Sequence, residues 1–78
     1  MKIIYTIRKD KIKTENNKTA TVYGIDVKQK FFIKTTVLRS VSNIFVSKKT
    51  AVKYVKLFNK EKLNPIHLDC VVEDILAL

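Results

Sequence analysis

The sequence predicts an α+β domain: a three-stranded antiparallel sheet in 2–41, followed by two C-terminal helices packed on one of its faces. Apolar residues recur in steps of two through the first 46 residues and in steps of three and four from about Ser47 onward. Between the first two alternating runs lies the polar segment Asp10 to Lys18, with Asn16-Asn17 at its middle. Asparagine tolerates positive φ and makes side-chain turns, so this segment reads as a hairpin tip. Strands first and helices last leave the helices to cover one sheet face.

The first strand alternates Ile3, Tyr5 and Ile7 with Ile4, Thr6 and Arg8. The second sets Thr21, Tyr23, Ile25 and Val27 against Ala20, Val22, Gly24, Asp26 and Lys28, and its lone Gly24 marks a bulge or the close approach of a helix. The third is expected over Phe31 to Arg39, after a turn in Asp26 to Lys30. It puts Phe31, Ile33 and Val37 in the core, with Phe32, Lys34 and Leu38 on the other face. Ser42-Asn43 ends or bends that strand, and Ile44 to Val46 is a candidate for a short fourth edge strand.

Ser47 is the expected N-cap of a helix near 48–62, its hydroxyl accepting from a free first-turn amide. Ala51, Val52, Val55, Phe58 and Leu63 form the apolar stripe, opposite Lys49, Lys53, Lys56 and Lys60. Asn64-Pro65 restarts the chain, since proline is welcome in a first helical turn. A helix near 66–76 then buries Leu68, Val71, Val72, Ile75 and Leu76, while Asp69 and Glu73 share an exposed face.

The 78 residues suffice for one domain, with a sheet part in 1–46 and a helical part in 47–78. A chain this short removes roughly 60–65% of its unfolded surface from water, so its core is modest. Its lone Cys excludes an intrachain disulfide and suggests a reducing compartment, so a cytoplasmic location is expected. No apolar run approaches the roughly 20 residues of a span, and no membrane partner is expected. The net charge is +9, unevenly placed. All 16 basic residues lie in 1–62, whereas Asp69, Glu73 and Asp74 alone carry charge in 63–78.

Tyr23-Gly24-Ile25, Ser47, Leu57-Phe58-Asn59, Leu63, Pro65-Ile66-His67-Leu68 and Val71-Val72-Glu73-Asp74 together resemble a family of small, functionally uncharacterised proteins of Gram-positive anaerobic bacteria. The resemblance covers about residues 20–77. It implies a stand-alone bacterial cytoplasmic domain and transfers no functional residue.

His67 and Cys70 sit i, i+3 on the second helix, within reach of one metal ion, but a structural zinc site needs four ligands. The expected roles are instead a first-turn histidine satisfying backbone groups and a packed small cysteine. A Cys–His nucleophile needs an orienting group and an oxyanion hole, and one glycine gives little to build it from. Glu73-Asp74 are neighbours about 100° apart on a helix, which suits a strut from Asp74 to Lys34 better than acid–base work. No enzyme, cofactor or metal is expected.

Two function classes remain. The first is a regulatory or adaptor domain that binds another protein through its open sheet face and acidic last helix, with Phe32, Leu38, Asp69 and Glu73 as candidate contacts. The alternative is a nucleic-acid-binding domain using Arg8, Lys28, Lys34, Lys49, Lys53 and Lys56, with Phe32 interleaved as a stacking surface. Homodimerisation through the open face or an uncovered edge strand at Ile44–Val46 is a further candidate.

Overall fold

The computed structural model describes residues 2–77. Its elements run β1 (Lys2–Lys13), β2 (Thr19–Phe31), β3 (Lys34–Phe45), α1 (Lys48–Lys60), a single 3-10 turn (Pro65–His67) and α2 (Leu68–Leu76). The three strands form one antiparallel sheet in the order β1-β2-β3, and the helices cover one face. The expected fold class is therefore the observed one.

Strand lengths differ from expectation. β1 runs to Lys13 and pairs with β2 without interruption from Lys2↔Lys30 to Lys13↔Thr19. The first hairpin tip is therefore short and closes with Thr14 N–H donating to Lys18 O at 2.8 Å, with Asn17 at φ 58°. The second hairpin turns at Phe32-Ile33, not within Asp26 to Lys30, because β2 continues to Phe31 and pairs there with Lys34. Phe31, Ile33 and Val37 consequently leave the expected core and are exposed. The segment expected to give a fourth strand is the end of β3 itself, which continues to Phe45 and buries that ring.

Two irregularities let β3 reach so far. Val27 pairs with Arg39 and Lys28 with Val37, so Leu38 is an extra residue. Tyr23 then pairs with Phe45 and Ile25 with Val41, so three residues of β3, Ser42 to Ile44, span the place of Gly24 alone. A Cβ on Gly24 would lie 2.1 Å from Val41 O and 2.8 Å from Ser42 Cα, so only glycine admits this bulge. Asn43, at φ 56°, supplies the reversed backbone on the other strand.

The core joins Tyr5, Ile25, Val27 and Phe45 of the sheet to Ala51, Val55 and Phe58 of α1 and Leu68 and Val72 of α2. Phe45 stacks on Tyr54 with centroids 5.3 Å apart, and Tyr5 meets Phe58 edge-on at 5.6 Å. Leu76, expected inside, is exposed because α2 ends there, at the margin of the sheet.

Helix ends follow local chemistry. Ser47 occupies the N-cap of α1 in an extended conformation, yet its hydroxyl makes no capping bond; its carbonyl accepts from Ala51 N–H at 3.1 Å. At the other end Lys62 adopts φ 51°, Leu63 N–H bonds Phe58 O at 3.0 Å, and Lys62 N–H bonds Asn59 O at 3.3 Å. This is a Schellman closure that turns Leu63 back against the core. Asn64 caps the next turn by accepting from Ile66 N–H at 3.1 Å, with Pro65 in its first position.

Candidate protein-binding surface

β2 has 13 residues, which at about 3.3 Å each accounts for a molecule 45 Å long. α1, with the same number of residues, is only about 20 Å long. The helices therefore cover the middle of the sheet, and the end carrying the β2–β3 hairpin lies bare. Phe31, Phe32, Ile33, Val37 and Leu38 are all exposed there, Phe32 at 84% and Ile33 at 101%.

The turn itself is unusual. Phe32 has φ 55°, the sign a II′ hairpin turn has at its first central position, where glycine is the usual occupant. A bulky residue in that region is strained by about 1 kcal/mol or more. Its ring meets Phe31 edge-on with centroids 4.6 Å apart. A strained, solvent-exposed aromatic pair contributes little to a core that lies elsewhere, which makes this tip the strongest candidate for an external contact.

Lysines surround it. Cross-strand partners share a sheet face, so Lys28 lies with Val37 and Ile4, whereas Lys34 lies with Phe31 on the side of the helices. Lys2 and Lys30 form a facing pair at the same end. The expected single open face carrying Arg8, Lys28, Phe32, Lys34 and Leu38 together is thus not formed. Phe32 sits in the turn, Lys34 is on the other side, and Leu38 is the extra residue of a bulge that resets the alternation.

The middle of the open face is polar and internally paired. Arg8 Nε donates to Asp10 Oδ2 at 2.9 Å, and Arg8 Nη1 lies 3.7 Å from Asp26 Oδ1. The hydrogen bond to Asp10 pushes the Arg8 pKa up, with the Asp10 and Asp26 charges adding to it. Of the six basic candidates for nucleic-acid contact, Arg8 is therefore already committed to carboxylates. Lys49, Lys53 and Lys56 are exposed along α1, away from any aromatic platform at the hairpin tip.

The acidic helix is also partly committed. Both oxygens of Asp69 receive the guanidinium of Arg39, with Nη1 donating to Oδ2 at 2.6 Å and Nη2 paired with Oδ1. The hydrogen bond to Asp69 raises the Arg39 pKa. A strut between α2 and the sheet does exist, but it joins Asp69 to Arg39 and not Asp74 to Lys34. Arg39 reaches α2 because the bulge at Leu38 turns it to the side of Val27. Glu73 remains exposed, and Asp69 is not a free contact.

His67 and Cys70 are both exposed. The His67 side chain makes no capping bond, and Cys70 does not pack inside as expected, because the buried face of α2 is carried by Leu68 and Val72. Among the described residues no three His, Cys, Asp or Glu side chains come together. An open cleft of about 1140 Å³ runs between the start of β1 and the end of α1, lined by Lys2, Ile3, Ile4, Lys62 and Pro65 among others. Its amide, Asn59, is committed to the backbone of Tyr5. The charged groups of its lining, Lys2 and Lys62, are both cationic.

A family model, the family of unknown function DUF6514, matches residues 1–78. The chain belongs to this family. The match takes in the first strand as well as the span 20–77 that carries the resemblance, and so covers the sheet and both helices. No curated protein and no solved structure matches the chain.

Proposed function

We propose that this domain acts in the bacterial cytoplasm as a small non-enzymatic adaptor or regulatory module that binds another protein through the bare end of its sheet. The observation that carries the reading is Phe32 held at positive φ on an exposed turn, beside Phe31 and Ile33 and close to Val37 and Leu38. Exposed apolar side chains gathered at one end of a sheet mark interfaces, and desolvated aromatic anchors dominate interface energy. Lys28, Lys30 and Lys34 around the tip supply a polar rim that tunes encounter.

The alternative, nucleic-acid binding through the lysine-rich surfaces, draws on the exposed row Lys49, Lys53 and Lys56. One experiment separates the two readings. The tagged chain and its Phe32→Ala/Leu38→Ala variant are used for capture from host extract at low and high salt, beside an oligonucleotide titration. Proteins kept at high salt by the wild type and lost by the variant support the adaptor. Oligonucleotide binding tighter than about micromolar, falling steeply with salt and unaffected by the variant, overturns it.

A further inference from the structure

A sheet of three strands has two free edges, and this chain treats them differently. On β1 the edge is occupied at Tyr5: Asn59 Oδ1 accepts from Tyr5 N–H at 2.8 Å, and Asn59 Nδ2 donates to Tyr5 O at 2.9 Å. Both backbone groups of Tyr5 therefore point away from β2. In an antiparallel ladder such residues alternate, so Ile3, Ile7, Lys9, Lys11 and Lys13 also point outward. Three of those five are lysines, so that stretch offers an added strand charge without the outward apolar residue that Val37 gives on β3.

β3 is interrupted by its bulges at Leu38 and at Ser42 to Ile44, but between the turn and the first of them it has no such guard. The two-residue turn makes Phe31↔Lys34 a hydrogen-bonded pair, and Gln29↔Thr36 follows it, which sends the backbone N–H and C=O of Thr35 and Val37 outward. The stretch Thr35 to Leu38 carries no charge and no proline, and it is exposed throughout. Among the described residues no hydrogen bond reaches that edge at Thr35 or Val37. Around it stand Lys28, Lys30 and Lys34, with no acidic residue in 27–38.

We infer that β3 accepts an extended acidic segment of a partner protein as a fourth, antiparallel or parallel strand, bonded to Thr35 and Val37. Main-chain pairing supplies the attachment, and alternate side chains of the segment read the surface. Its apolar positions rest against Val37, and its carboxylates meet the lysines. The charge selects an acidic segment over a second copy of this chain, whose net +9 opposes self-pairing. This inference rests on the adaptor reading and adds the mode of binding and the chemistry of the partner.

The test is an NMR titration of the isotopically labelled full chain with a seven-residue peptide alternating Glu and Val, beside its Lys–Val counterpart. The Glu–Val peptide should shift the Thr35 and Val37 amides, and the Lys–Val peptide should not. Val37→Pro removes an outward amide that the fold does not use, so its melting curve should match the wild type while peptide affinity falls at least tenfold. Val37→Thr, which keeps the amide, should change affinity less than threefold. Equal binding by Val37→Pro, no shift at Thr35 and Val37, or a dimer in sedimentation that occupies the edge each overturns the inference. Host proteins lost with Phe32→Ala but kept with Val37→Pro overturn the strand addition alone. Host capture indifferent to Phe32 and Leu38 overturns the adaptor reading.

Discussion

Asn59 and Tyr5, 54 residues apart in the chain, are joined by two hydrogen bonds in which one side-chain amide takes both backbone groups of a strand residue. The amide stands where the next strand would be. It fastens the last turn of α1 to the edge of β1, and the Tyr5 hydroxyl adds a third tie by donating to Leu63 O at 2.6 Å. Asn59→Ala should therefore cost about 2 kcal/mol, because it leaves partly buried Tyr5 N–H and C=O groups unpaired. Denaturant unfolding measures the loss, and light scattering should show more aggregation from the opened edge.

Tyr5 makes the fold sensitive to alkaline pH. Burial pushes its pKa up from the ordinary tyrosine value, and only the neutral hydroxyl can donate to Leu63 O. The unfolded chain ionises first, so the Tyr5 contribution is complete below about pH 10 and is lost as pH rises through the higher folded value. Compared with Tyr5→Phe, the wild type should be more stable at pH 8 and should lose that advantage as pH rises above about 10.

Gly24→Ala is expected to be among the most damaging single-methyl changes available. The added carbon would sit 2.1 Å from Val41 O, which belongs to backbone and cannot rotate away. A cost of about 3 kcal/mol or more, or failure to fold, is expected from forcing the bulge apart. Circular dichroism during thermal unfolding reports it.

Phe32→Gly separates stability from function. Glycine takes φ 55° without strain, so this variant should unfold later than the wild type, by about 1 kcal/mol. The same change removes the exposed ring, so partner capture should fall. A variant that is more stable and still binds fully would remove Phe32 from the interface.

Val55→Asp should unfold the domain outright. Val55 lies in the core between sheet and helices, and an unpaired carboxylate there costs an amount comparable with the whole stability of a small domain, about 5 kcal/mol. Loss of the ellipticity signal at room temperature is the expected result. By contrast, a chelator added during a melt should leave the wild-type Tm unchanged, since the described residues bring no three metal-ligating side chains together.

Local pattern alone determined the antiparallel strands followed by helices, the N-cap position of Ser47 and the restart at Asn64-Pro65. Each of these depends on residues within a turn or a strand of one another, where periodicity and backbone preference act directly. Gly24, by contrast, was open between a bulge and the close approach of a helix until β3 paired on either side of it. Tertiary structure decided where β2 stops. Phe31-Phe32-Ile33 has the same apolar alternation whether it lies in a buried strand or at a turn, and only pairing to β1 as far as Lys2↔Lys30 carries it beyond the helices. That shift moved Phe31, Ile33 and Val37 out of the core and put Phe32 at the tip. The Asn59–Tyr5 and Arg39–Asp69 contacts were likewise set by packing, because their partners lie 54 and 30 residues apart. An Asn or an Arg gives no sequence signal of which distant backbone or carboxylate it will meet; register and bulge place those groups, and a one-residue shift reverses every side chain beyond it.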